Sequence, residues 1–145
     1  MRNRFKVVLI IIIVFSQCVT SFSQSVGKIF TKAKADSLFG KVEQSVEMKT
    51  DDVLKMIENT DKKVMFRMLK KNVLLAGDTR NLLNNLKMRI SKKDVFMSYS
   101  KDKVLELLNK NKNAKVKVEK RGKKLTITCG METLEEGQPC PPICD

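Results

Sequence analysis

Over residues 115–129 the chain alternates apolar and polar residues in two runs that flank Arg121-Gly122. Val116 and Val118 alternate with Lys115, Lys117 and Glu119, and Leu125 and Ile127 alternate with Thr126 and Thr128. Successive side chains on a strand point to opposite faces, so this period of two predicts a hairpin with one apolar and one polar face. A sheet that is apolar on one side needs a second layer to cover it, which narrows the chain to a few packings.

The covering layer reads as helix. Thr50 caps a helix whose first turn holds Asp51 and Asp52, favourable to the helix dipole, with Val53, Leu54, Met56 and Ile57 on its apolar side. Ser100 caps another over 101–110, where Val104, Leu105, Leu107 and Leu108 face inward. A shorter helix is predicted over 30–39, capped by Thr31 and ended by Gly40. Strands are predicted over 41–48, 64–69, 73–76 and 95–99, with Lys70-Lys71-Asn72 closing a first hairpin. Residues 79–91 are ambiguous: Leu82, Leu83 and Leu86 fit a helical turn, but the asparagines weaken it.

The run Val53-Leu54-Lys55-Met56-Ile57 recurs 51 residues on as Val104-Leu105-Glu106-Leu107-Leu108. Each run follows a strand-like stretch and precedes a hairpin, and the hairpins end in Gly77 and Gly130. The expected fold is therefore α+β, an antiparallel sheet built from two strand–helix–hairpin units with the helices packed on one face. In the first hairpin Val64, Phe66 and Met68 occupy one parity and Met65 and Leu69 the other, so both of its faces need cover, from a partner or from the Leu82–Leu86 segment.

The N-terminus adds a compartment. Arg2, Arg4 and Lys6 precede nine apolar residues and then Ser21-Phe22-Ser23-Gln24, the layout of a signal peptide over 1–23 cleaved between Ser23 and Gln24. A membrane span needs about 20 apolar residues, more than this run holds, so the mature chain is expected to be periplasmic or extracellular without a transmembrane span. Cys18 offers the alternative of a lipid-anchored chain, although Gln17 before it is not a small residue. The remaining chain divides into a single α+β domain over 24–128 and an acidic, Cys- and Pro-containing tail over 129–145.

Charge is uneven. The formal +13 of the whole chain falls to +10 without the three leader bases, and because the tail holds four acids and no base, 24–128 carries +14. Such a body suggests an anionic partner: phosphate, a sulfated or uronic envelope polysaccharide, lipid head groups or an acidic protein. The contact set expected from the basic turns and one strand face is Lys70, Lys71, Lys115, Lys117, Lys120, Arg121, Lys123 and Lys124. Nucleic acid fits poorly, since the chain has no Trp and a single Tyr to stack on bases.

In an oxidising compartment cysteines pair. Cys140 and Cys144 are the expected disulfide on proximity, with Cys129 the alternative partner for either. Three residues, two of them proline, separate Cys140 from Cys144, which argues against a dithiol redox motif, and three thiols without histidine argue against structural zinc. The chain has no histidine at all, which removes the commonest general base and the Ser-His and Cys-His nucleophiles. No phosphate-binding Gly-rich loop appears, and no cofactor is expected.

The leader end Ser21-Phe22-Ser23-Gln24, the body and the tail Thr133-Leu134-Glu135-Glu136-Gly137-x-Pro139-Cys140-Pro141-Pro142-x-Cys144 together resemble small exported proteins of the Bacteroidetes. That resemblance implies the compartment and carries no activity. The expectation is an exported, non-catalytic binding protein of the cell envelope that contacts an anionic polymer; the alternative is an accessory subunit or inhibitor that docks another exported protein through an open sheet face.

Overall fold

The structure, a computed structural model, describes residues 25–141. The expected signal peptide, its Ser23–Gln24 junction, Cys18 and Cys144 lie outside the described residues.

The chain order is β1 (Lys28–Thr31), α1 (Lys32–Phe39), β2 (Gln44–Lys49), α2 (Thr50–Ile57), β3 (Lys63–Met68), β4 (Val73–Ala76), β5 (Phe96–Ser100), α3 (Lys101–Lys110), β6 (Lys115–Arg121), β7 (Lys124–Cys129), β8 (Glu132–Glu135) and β9 (Gln138–Cys140). Local signals place most of these. Thr31 accepts the Lys34 N–H as cap of α1, and Gly40 closes that helix at φ 85°, a conformation glycine adopts without Cβ strain. The apolar stripe of α2 buries Val53 and Ile57, and that of α3 buries Val104, Leu107 and Leu108.

The strands form two sheets rather than one. The first has the order β1-β8-β7-β6-β2 and the second β4-β3-β5-β9, and every neighbouring pair is antiparallel. The leading strand of each strand–helix–hairpin segment pairs across to the other segment. β2 lies against β6 with Lys49 opposite Lys115, and β5 lies against β3 with Ser100 opposite Lys63.

One core joins both sheets to α2 and α3. Val64, Phe66, Tyr99, Val116, Val118, Ile127 and Leu134 bury their side chains in it together with the stripes of the two helices. At about 25 cal/mol per Å² of apolar surface removed from water, this shared core is the main source of stability.

The expectation of helices on one face is corrected by α1. Phe30, Glu119, Arg121, Thr126, Thr128, Thr133 and Glu135 are buried on the opposite, polar side of the first sheet, where Asp36 and the Gly40 carbonyl of α1 meet Arg121. The second sheet is likewise covered on both faces. Met65, Leu74, Ala76, Phe96 and Cys140 form a smaller cluster on its far side, beneath Leu82, Leu86 and Ile90 of the connection that follows β4. The open sheet face expected for a docking role is thus absent among the described residues. The stretch after Cys129 contributes strands to both sheets: β8 runs between β1 and β7, and β9 pairs with β5. None of the described helices is long and apolar enough to cross a membrane.

Candidate functional site

The two basic hairpin turns, far apart in sequence, meet at the start of β2. Gln44 donates its side-chain amide to the carbonyls of Leu69 and Lys70, at 3.0 Å each, and stands opposite Lys120 in the β2–β6 ladder. Beside it, Glu43 accepts the Gly122 N–H at 3.2 Å and lies 4.0 Å from the Lys120 ammonium. Arg121 bonds the Gly40 carbonyl at 2.8 Å, which brings Lys41 to the same end of the molecule. Sequence periodicity gave no sign of Gln44 or Glu43 as organisers, because a glutamine at a strand start looks like any solvated residue.

The lysines gathered there differ in state. Lys70, Lys71 and Lys123 are exposed and have no acidic partner among the described residues. Lys120 faces Glu43. Lys124 lies 3.9 Å from the buried Glu135 carboxylate and 4.3 Å above the Phe39 ring.

Arg121 does not belong to the surface. Its side chain is fully buried, bonded to Asp36, to Glu119 at 2.9 Å and to Thr126 at 3.3 Å. The expectation of an anion-contact role for Arg121 is therefore corrected: α1 covers the polar face on which it sits, and internal carboxylates already hold its charge. Those hydrogen bonds outweigh burial and raise the guanidinium pKa further.

Lys115 and Lys117 lie toward the other end of β6, on the outer face. Glu47 takes both, at 2.9 and 3.3 Å, and these two ammonium groups hold its carboxyl below the ordinary value. The structure therefore splits the expected contact set between two ends of the β2–β6 ladder.

Cys129 is a free, buried thiol between Thr50 and the Asn111 carbonyl, and burial pushes its pKa up. Cys140 is buried and disulfide-bonded, and its expected partner Cys144 lies outside the described residues. Among the described residues no three His, Cys, Asp or Glu side chains are grouped to hold a metal ion. No family model, curated protein or solved structure gives a significant match to this chain.

Proposed function

We propose that this is an exported, non-catalytic binding protein of the cell envelope that holds an anionic polymer against its basic end. The observation that supports this reading is the convergence of the two hairpin turns on Gln44 and Glu43, which groups Lys70, Lys71 and Lys123 without acidic partners among the described residues. Single exposed charges contribute little, but several in one field concentrate and steer a polyanion, and they do so less as salt rises.

The test is retention on a sulfated resin. Neutralising Lys70, Lys71 and Lys123 together to Gln is expected to lower the salt needed for elution and to flatten the salt dependence. A charge-matched control, Lys34, Lys55 and Lys92 to Gln, is expected to shift elution less. Equal shifts for the two triples would leave the lysines as general solubilising charge.

We infer further that the body is a tandem repeat, which explains why the two turns resemble each other. Shifting Lys49 by 51 residues gives Ser100 and shifting Lys63 by 52 gives Lys115, so the cross-ladder pairs Lys49–Lys115 and Ser100–Lys63 are equivalent. The same shift of 52 turns the pair Met65–Ala76 into Lys117–Thr128, and it places Lys71 on Lys123. Equivalent core truncations, Val53→Ala and Val104→Ala, should then cost similar amounts, about 1–3 kcal/mol each; a consistent disparity across several such pairs would count against the repeat.

A further inference from the structure

β2 is an edge strand, and its length separates two basic sites. At the Gln44 end stand Lys70, Lys71 and Lys123. At the Lys49 end, Lys49 and Lys115 face each other as cross-strand neighbours, and with Lys112, Asn113 and one acid, Asp51, they line a cleft of about 330 Å³. Like charges directly opposite each other on a ladder oppose folding. Glu47 relieves Lys115, but Lys49 and Lys112 have no acidic partner among the described residues. Between the two ends runs a second cleft of about 350 Å³, bounded by Val46, Glu47 and Met48 on β2 and by Lys71, Asn72 and Asn85 across from it; the Glu47 carboxylate there is held by Lys115 and Lys117. Met48 lines this cleft, and the next residue along β2, Lys49, lines the other.

The chemistry along this edge is specific in kind. The side-chain amides of Asn72 and Asn85 bond no other protein group among the described residues, whereas the neighbouring Asn84 is engaged with the backbone of Val73 and Leu75. Free amides both donate to and accept from hydroxyl groups. No aromatic side chain lines either cleft, so neither offers a surface for stacking bases. Five steps of β2 at about 3.3 Å each set the backbone positions of Gln44 and Lys49 about 17 Å apart.

We propose that the free edge of β2 is the track for a linear anionic polysaccharide, which bonds lysines at both ends and hydroxyl-binding amides between them. The inference rests on the anionic-polymer reading above and names its ligand class and path. A chain long enough to reach both ends gains from the second contact as an intramolecular event.

The experiment measures fluorescence anisotropy of labelled heparin oligosaccharides of increasing length with the mature protein. Affinity is expected to rise at least tenfold in one step when the oligosaccharide exceeds the span. Lys49→Gln with Lys112→Gln should abolish that step and leave the affinity of the shortest binders within twofold. Asn72→Ala with Asn85→Ala should weaken the long oligosaccharides several-fold while leaving polyglutamate of equal charge unaffected. A smooth rise with charge number, or equal binding and equal amide sensitivity of polyglutamate, would overturn the track while leaving the anionic reading in place. Absence of binding at every length, together with unchanged resin retention of the Lys70/Lys71/Lys123 variant, would overturn both.

Discussion

Arg121 Nη1 lies 2.5 Å from Asp36 Oδ1, joining a side chain with no solvent exposure to one that is 45% exposed. The contact ties α1 to the polar face of the first sheet, and Glu119 completes the charge balance inside. Removing the arginine strands Glu119 in the interior, and an uncompensated buried charge costs about 3–5 kcal/mol. Arg121→Ala is therefore expected to lower unfolding stability by that order in urea titration. Asp36→Ala keeps the Glu119 partner and removes a half-exposed group, so its cost should be about 1 kcal/mol. A smaller loss for Arg121→Ala than for Asp36→Ala would contradict this arrangement.

Glu135 carries the opposite electrostatic sign of effect. Burial pushes its carboxyl above the ordinary 4.5, against the pull of Lys124, and its Oε2 has no hydrogen-bond partner. A raised carboxyl binds its proton more tightly in the folded than in the unfolded chain. Its contribution is complete below pH 4.5 and is lost as pH climbs through the folded value. Glu135→Gln should accordingly stabilise the protein at pH 7 relative to the parent, with the advantage shrinking toward pH 4. Thermal melts across that range check the slope, and an advantage that grows on acidification would refute it.

Asp78 works in the reverse direction. Burial raises its pKa, but the backbone N–H groups of Asp61, Lys63 and Lys62 outweigh it and hold the carboxyl below 3.8. The stability from this clamp is present above pH 3.8 and is lost as pH falls through the depressed folded value. Asp78→Ala leaves those exposed donors to water and should cost about 1 kcal/mol. Amide hydrogen exchange at 61–63 should accelerate selectively, which a global loss of stability alone would not produce.

A Cβ placed at Gly137 would stand 2.6 Å from the Tyr99 ring, whose hydroxyl donates to the Leu125 carbonyl. Gly137→Ala should therefore cost about 1–3 kcal/mol through overpacking. Tyr99→Leu removes the obstructing atoms, so adding Gly137→Ala to that background should be milder. Additive losses in the double-mutant cycle would disprove the clash.

Periodicity recovered the local elements well. The helix expected over 101–110 matches α3, and the hairpin of alternating residues matches β6 and β7. It missed β1, β8 and β9. β8 carries Glu132 and Glu135, which read as solvated tail, yet the strand is placed between two others by pairings no local pattern encodes. The same blindness produced one sheet where there are two, because β2 finds β6 and β5 finds β3 across long stretches of chain. At the candidate site the lysine turns were legible as turns, but their meeting rests on two adjacent side chains, Gln44 for the first turn and Glu43 for the second. Arg121 was misplaced because a polar strand face next to a glycine turn normally faces water. The shared parity of Glu119 and Arg121 with Thr126 and Thr128 on the facing strand was the available hint of an internal network.

The crossed pairing of β2 with β6 and β5 with β3 has a further consequence. Neither half of the chain owns the strands that complete its own sheet, so each supplies the missing edge of the other. A single backbone cut in the connection between β4 and β5 would yield two pieces, each incomplete and prone to self-association by itself, that reconstitute the native molecule only on mixing. The two halves are thus joined through shared sheets rather than merely stacked.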